Sequence, residues 1–194
     1  FISLTPSLTA VLTFNTDFAE AEVDSRRVNL TRFPLFFPEK RDFFLEAAPS
    51  FEFGLGRRDL LPFYSRRVGR DDEGNPLPLH GGKLVGRAGD YGIGVMAMHT
   101  EASGGVPAKS LGVARFTRSI LEESLVGVIA TAGNPTEEED NALAGIDFDL
   151  RTSEYMGDKN LSLRGYALGS ESEGARGRDL AFGAALDYGN EPLG

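Results

Sequence analysis

The chain has 194 residues, a net charge of −9 and no Cys. The lack of Cys excludes disulfides, thiolate metal sites and cysteine nucleophiles, and the negative charge argues against a general nucleic-acid binder. No apolar run approaches the roughly 20 residues of a spanning helix, so a membrane role would require a β-barrel. The charge is uneven, because residues 91–194 carry twice as many acidic as basic side chains while residues 1–90 are nearly balanced.

Short runs of alternating apolar and polar residues predict β-strands along most of the chain. The candidate segments, in chain order, are 8–14, 18–23, 83–89, 91–100, 111–118, 125–132, 144–150, 161–167 and 179–188. In the last of these, Leu180, Phe182 and Leu186 share one face and Asp179 and Asp187 share the other. We therefore expect strands to dominate and no helix longer than about three turns after residue 100.

Short and long connections alternate between these candidate strands. Gly89-Asp90 predicts a tight hairpin turn, whereas the polar stretches 101–109, 133–141 and 169–177 predict longer loops. Transmembrane barrels alternate in this way, with short periplasmic turns and long outer loops. We expect the acidic segments, Glu137 to Asp140 and Glu171 to Glu173, in exposed loops at the same rim. The alternation alone also fits a soluble β-sandwich.

Residues 29–70 interrupt the strand rhythm with a dense mixture of Phe and charged residues. Eight of the 14 Phe residues fall here, five of them close together at positions 33, 36, 37, 43 and 44. Pro38 suits the first turn of a helix, and Glu39 suits its positive end. We expect one or two helical turns from about Pro38 to Leu45, within a segment that breaks the sheet.

Three blocks of sequence carry a resemblance to a known family. They are FAEAEVDSRRVNLTRFPLFFPEKRDFFLE at 18–46, FYSRRVG at 63–69 and GGKLVGRAGDYGIGV at 81–95. Together they closely resemble the outer-membrane barrel family called domain of unknown function 5916, in which the barrel follows a secreted carbohydrate-binding domain similar to family 9. The FFPEK-R-FFLE core is long and unusual in composition, whereas residues 100–194 match only in their Gly-rich strands and acidic loops.

The resemblance implies an all-β fold, namely the antiparallel meander of a transmembrane β-barrel with a short helical or irregular insert near 34–62. Residues 1–194 are then expected to be a single fragment of a Gram-negative outer-membrane barrel domain, a partial barrel without the carbohydrate-binding domain. The expected partners are outer-membrane lipid and a glycan or small-molecule substrate, with the protein acting as a pore or as a binding or uptake component. The resemblance supplies no reaction and no cofactor. The alternative is a soluble β-rich hydrolase acting on carbohydrates.

The charges of the Phe-rich segment predict a network inside the barrel, because bare charges are costly in lipid and Phe rings are costly in water. We expect the segment to fold against the polar face of the sheet. The expected lumen charge network comprises Glu39, Lys40, Arg41, Asp42, Glu46, Arg66, Arg67, Lys83 and Arg87. It would act either as a gate or as a fixed support for the wall, and fixed ion-pair networks are the commoner case.

No residue pattern predicts catalysis, metal binding or a cofactor. Ser65 with His80 or His99 lacks the G-x-S-x-G elbow that positions a nucleophile. The acidic run 137–140 lacks the spacing of a Ca²⁺ loop. Asp147 and Asp149 share a strand face and resemble a pair of catalytic carboxylates, but lining a wet lumen is the more common role for such residues.

Overall fold

The computed structural model describes residues 2–14, 37–56, 60–71, 75–134, 140–173 and 179–188. Within them, nine antiparallel strands form one sheet in chain order. The strands are β1 (Ile2–Thr5), β2 (Leu8–Thr13), β3 (Leu79–Ala88), β4 (Tyr91–Thr100), β5 (Lys109–Ile120), β6 (Ser124–Ala132), β7 (Asn141–Tyr155), β8 (Lys159–Ser172) and β9 (Asp179–Asp187). One short helix, α1 (Asp42–Leu45), and two 3₁₀ turns, Ala48–Phe51 and Ser65–Arg67, precede β3.

The all-β meander predicted from the alternation is confirmed, and the sheet is not closed into a barrel across the described residues. The predicted helix is confirmed only over Asp42–Leu45, because the chain is still extended at Arg41. The placement of Pro38 in the first turn and of Glu39 at its positive end is therefore wrong. The insert extends further than predicted, since the described residues between the first 3₁₀ turn and Leu79 contain irregular chain, a second 3₁₀ turn and one isolated bridge. β1 was not predicted, and the candidate strand at 18–23 lies outside the described residues. None of the described helices is long and apolar enough to cross a membrane.

The two ends of the sheet differ in the length of their connections. Short turns at 6–7, 89–90, 121–123 and 156–158 lie at one end, which we call the short-turn end. The strand ends that border the longer connections, 14–78, 101–108, 133–140 and 173–178, lie at the other, the long-loop end. Gly89 has a φ of +60°, as the predicted tight turn requires.

The acidic segments meet at the long-loop end, as far as the structure describes them. The backbone N–H of Glu173 donates to the carbonyl of Asp140 at 2.8 Å. Residues 137–139 lie outside the described residues. Glu171 belongs to the end of β8 and not to a loop, because pairing with β7 continues to Ser172.

The two faces of the sheet have opposite surroundings. The insert packs on one, the covered face, where Phe44, Phe51 and Phe53 form a core with sheet residues such as Met96 and Ile129. The 3₁₀ turn at Ala48–Phe51 approaches β4 so closely that a Cβ at Gly94 would lie 2.8 Å from the Ser50 carbonyl oxygen. The other face, the bare face, carries apolar side chains that no described residue covers. Its most exposed members include Leu12, Ile146, Leu180, Phe182 and Leu186.

Candidate functional site

A buried cluster around Glu39 holds the start of the insert together. Arg41 binds the Glu39 carboxylate through two hydrogen bonds of 2.8 Å, and it donates two more to the carbonyls of Ser65 and Val68, each at 2.6 Å. The Ser65 hydroxyl donates to Glu39 Oε2 at 2.7 Å, and Arg66 Nη1 lies 3.9 Å from Glu39 Oε1. This cluster joins the chain just before α1 to the 3₁₀ turn at Ser65–Arg67.

The environment of Glu39 strongly favours its ionised form. Burial raises the pKa of this carboxyl, but the hydrogen bond and charge of Arg41, together with the hydroxyl of Ser65, outweigh that effect and lower the pKa to about 2. The side chains of Arg41 and Glu39 are 1% and 8% exposed, so water screens their attraction weakly. The Glu39 carboxyl is therefore ionised near neutral pH.

Lys83 fixes the insert to β3. Its side chain is 1% exposed, and its Nζ donates to the Phe43 carbonyl at 2.5 Å and to Glu46 Oε2 at 3.0 Å. The ammonium group also lies 4.6 Å from the centre of the Phe43 ring, a separation typical of cation–π attraction. A buried cation on the covered face thus holds the short helix by its backbone, its carboxylate and its aromatic ring.

A second ion pair anchors the middle of the insert to the sheet. Arg115 on β5 makes a bidentate contact with Asp147 on β7, with N–O distances of 2.7 and 2.8 Å. Arg115 Nε donates to the Glu52 carbonyl at 3.0 Å, and Asp147 accepts the Gly54 N–H at 2.9 Å. The ring of Phe53 lies between these two backbone contacts, 5.3 Å from the guanidinium carbon. Both ends of the ion pair therefore bind the same short stretch of insert.

The remaining residues of the expected lumen charge network differ in position. The backbone N–H of Lys40 donates to Glu39 Oε1 at 3.0 Å, whereas Asp42 is exposed in the first turn of α1. Arg67 is exposed at the end of its 3₁₀ turn. Arg87 is exposed near the short-turn end and donates to the Ser119 hydroxyl at 3.0 Å. The structure thus brings together Glu39, Arg41 and Arg66, and separately Lys83 and Glu46.

Arg115 is the functional candidate that the sequence reasoning missed. It lies within a predicted strand, but its partner is 32 residues away on a strand that is not its neighbour. The available signal in the sequence is the alternation of β5, which places Arg115 after Leu111 and Val113 on the same face. The sequence predicts that Asp147 lines a lumen, but it indicates no partner for this carboxylate.

A cavity of about 700 Å³ lies between the insert and the covered face. Its insert side is aromatic, with Phe44, Phe51, Phe53 and Phe63, and its sheet side is charged. The sheet side includes Arg115, Asp147, Asp149, Arg151 and Arg164. The volume falls within the range of roughly 300–1,000 Å³ that is usual for small-molecule sites. An aromatic wall opposite a charged wall suits a compact ligand that has one apolar and one polar surface.

The other polar residues noted in the sequence have different partners. Ser65 binds Glu39, whereas His80 and His99 lie on β3 and β4. Asp149 pairs with Arg151 of the same strand, while Asp147 pairs with Arg115. In the described part of the chain, no group of three or more His, Asp or Glu residues is arranged to hold a metal ion.

The fold defines this protein as an open antiparallel β-meander whose covered face carries a charged, Phe-rich insert. The sequence model of a family described as "Domain of unknown function (DUF5916)" matches residues 3–80, which supports the resemblance over that part of the chain. The matched part comprises β1, β2 and the insert up to the first residues of β3. No curated protein and no solved structure matches the chain.

Proposed function

We propose that this chain forms a wall of a bacterial outer-membrane β-barrel, with the bare face toward lipid and the covered face toward the lumen. The observation that carries the proposal is a row of paired residues across five strands of the bare face. The row runs through Phe116, Val128, Ile146, Ala167 and Phe182. Ile146 and Phe182 are 62% and 77% exposed. An apolar sheet face of this width is unfavourable in water and favourable in lipid.

The two ends of the sheet support the same orientation. Transmembrane barrels have short periplasmic turns and longer outer loops, which assigns the short-turn end to the periplasm. Three tyrosines, Tyr91, Tyr155 and Tyr188, lie at this end, and the rings of the last two are 6.1 Å apart. Aromatic residues are concentrated where a barrel crosses the membrane interface. Strands β3 to β9 contain 9 to 15 residues, enough for the roughly 9–11 residues of a tilted spanning strand.

The insert supports a role as a binding or uptake component over that of an open pore. It covers the lumen side of the wall, is attached by Lys83 and by the Arg115–Asp147 pair, and borders the cavity of about 700 Å³. A glycan or another small secreted molecule as the substrate rests on the family resemblance alone. The alternative, a soluble hydrolase acting on carbohydrates, requires the apolar strand faces to meet in a closed core. The exposure of Leu180 and Leu186, at 73% and 68%, argues against that arrangement.

The test combines fractionation with site-specific labelling. The full-length protein should fractionate with the outer membrane and show heat-modifiable mobility on gels. Because the chain has no Cys, Ile146→Cys and Phe182→Cys each accept one spin label. In lipid bilayers, both labels should be more accessible to oxygen than to a water-soluble nickel chelate.

A label at Glu122→Cys, in a short turn, serves as the matched control and should show the opposite preference. Two results would overturn the proposal. One is recovery of the protein in the soluble fraction. The other is equal access of the nickel chelate to all three labelled sites.

A further inference from the structure

Both histidines of the chain lie side by side on the bare face at the long-loop end. His80 on β3 is directly paired with His99 on β4, and their ring centres are 4.9 Å apart. The chain contains 2 His residues in total, so this pair accounts for all of its imidazoles. The His80 side chain is 39% exposed, which leaves the pair open to solutes from the long-loop end.

Each imidazole has a polar neighbour at its Nδ1 atom. His99 Nδ1 lies 2.9 Å from the Ser110 hydroxyl oxygen on β5. His80 Nδ1 lies 3.7 Å from Glu101 Oε1, just after β4. A histidine that binds a metal through one ring nitrogen usually donates the N–H of the other to a carboxylate, carbonyl or similar acceptor. An N–H at Nδ1 of each ring therefore leaves both Nε2 lone pairs available to a cation.

We infer that His80 and His99 form a binding site for a divalent transition-metal ion of the Zn²⁺ type, with the two Nε2 atoms as ligands and water as the others. Imidazole suits Zn²⁺, Cu²⁺ and Ni²⁺ and does not suit Mg²⁺ or Ca²⁺. Two imidazoles bound to one tetrahedral Zn²⁺, with N–Zn distances of about 2.0–2.1 Å, have ring centres roughly 5 Å apart. The observed separation of 4.9 Å matches that geometry. Ser110 and Glu101 orient the rings.

The proposed metal site lies on the opposite face of the sheet from the proposed lumen. His80 and His99 lie on the bare face, whereas the insert and its ion pairs lie on the covered face. The ion would join β3 to β4 beside the loop that begins at Glu101, and it would stabilise that corner of the sheet by binding the folded state alone.

Titration of the purified, tag-free, full-length protein with Zn²⁺ by calorimetry tests the site. One ion per chain should bind, with Mg²⁺ giving no signal. His80→Ala and His99→Ala should each lower the affinity to that of the double variant, and Ser110→Ala should weaken binding roughly 10-fold. Glu122→Gln, at the opposite end, should bind as the unchanged protein does.

Chemical modification provides a readout that needs no variant. Diethyl pyrocarbonate should modify both imidazoles in the apo protein, and saturating Zn²⁺ should protect both, as measured by absorbance and peptide mass spectrometry. The inference fails if Zn²⁺ does not bind, if it binds equally well to the double His variant, or if it leaves the modification of His80 and His99 unchanged.

Discussion

Arg115 and Asp147 bind each other across an intervening strand, and Gly127 on that strand is what allows them to meet. Asp147 is directly paired with Gly127 on β6, and Arg115 reaches over the same residue from β5. A Cβ at position 127 would lie 2.4 Å from Arg115 Nη1. The guanidinium group therefore lies against bare backbone and reaches a carboxylate two strands away.

Removing one member of this pair should destabilise the protein strongly. Arg115→Met leaves the 6% exposed Asp147 side chain without its cation and removes the donor to the Glu52 carbonyl. We expect a loss of about 3–5 kcal/mol in the free energy of unfolding, as for other broken buried pairs. Urea unfolding in detergent micelles measures it.

The double variant Arg115→Met/Asp147→Leu is the control for that prediction. It removes both charges, so no buried charge is left unpaired, and most of the lost stability should return. A double variant as unstable as Arg115→Met alone would mean that the contacts to the insert, at Glu52 and Gly54, matter more than the ion pair.

Gly127→Ala should weaken the Arg115–Asp147 ion pair by adding a side chain to the strand between the two residues. The new methyl group occupies the space of the guanidinium, so Arg115 must move and its bidentate contact must lengthen. Gly112→Ala on the same strand pair is the matched control, because a Cβ there meets nothing within 4 Å. A double-mutant cycle with Arg115→Met should show the cost of Gly127→Ala shrinking when the guanidinium is absent. If Gly127→Ala destabilises the unchanged protein and the Arg115→Met variant equally, the methyl group does not act through Arg115.

Local sequence patterns predicted the strands well, because side-chain alternation is set by the pleat of each strand. β4 was predicted at its observed bounds, Tyr91–Thr100. β7 was predicted too short, since Asn141–Tyr155 continues beyond the apolar residues 144–150. Pairing with β8 holds those extra residues in the sheet, and the sequence of a single strand carries no sign of its partner's length.

The expected lumen charge network already included Glu39, Arg41, Glu46 and Lys83, because they lie in or near the charged, Phe-rich segment. It did not include Arg115 or Asp147, which lie far from that segment in sequence. Glu39 and Arg41 are two positions apart, so their association follows from local composition. Arg115 and Asp147 depend on the strand order and on a glycine between them. The separation of Arg87 from the insert likewise follows from the register of β3, which places it 4 residues beyond Lys83, near the short-turn end.

Acid should weaken the insert through Glu39. Its pKa is about 2 when folded against an ordinary value of 4.5, so ionisation stabilises the folded state above pH 4.5. That contribution, about 3 kcal/mol at 1.36 kcal/mol per pH unit, is lost as the pH falls from about 4.5 toward 2. Unfolding measured between pH 6 and pH 3 should show a decline that Glu39→Gln reduces.

Glu39→Gln should also be less stable than the unchanged protein at pH 6, because the amide does not neutralise Arg41. Glu122→Gln, an exposed carboxylate in a short turn, should leave both the stability and its pH dependence unaltered. If Glu39→Gln keeps the full decline in acid, other carboxylates cause it and the assignment to Glu39 is wrong.

Lys83→Met should release α1 more than Glu46→Gln does. The Lys83 ammonium binds the Phe43 carbonyl, the Phe43 ring and Glu46, and its removal leaves a carbonyl without its donor, at a cost of about 1–3 kcal/mol. Glu46 is 51% exposed and supplies one contact, which a glutamine oxygen can replace. Hydrogen exchange of the Leu45 and Glu46 amides, which bind the Arg41 and Asp42 carbonyls, measures the loosening. Equal exchange in both variants would rule out Lys83 as the main attachment.

If the bare face contacts lipid, a charged residue should destabilise the protein more at the middle of a strand than near its end. Ile146 lies in the middle row, and Arg at the centre of a bilayer costs about 2–4 kcal/mol but only about 0–1 kcal/mol near the interface. Ile146→Arg should therefore reduce folding into lipid vesicles far more than Ala142→Arg, which lies on the same face of β7 near the long-loop end. Ile146→Ala controls for the lost side chain. In a protein whose bare face meets water, both arginines would be tolerated alike, since Ile146 is already 62% exposed.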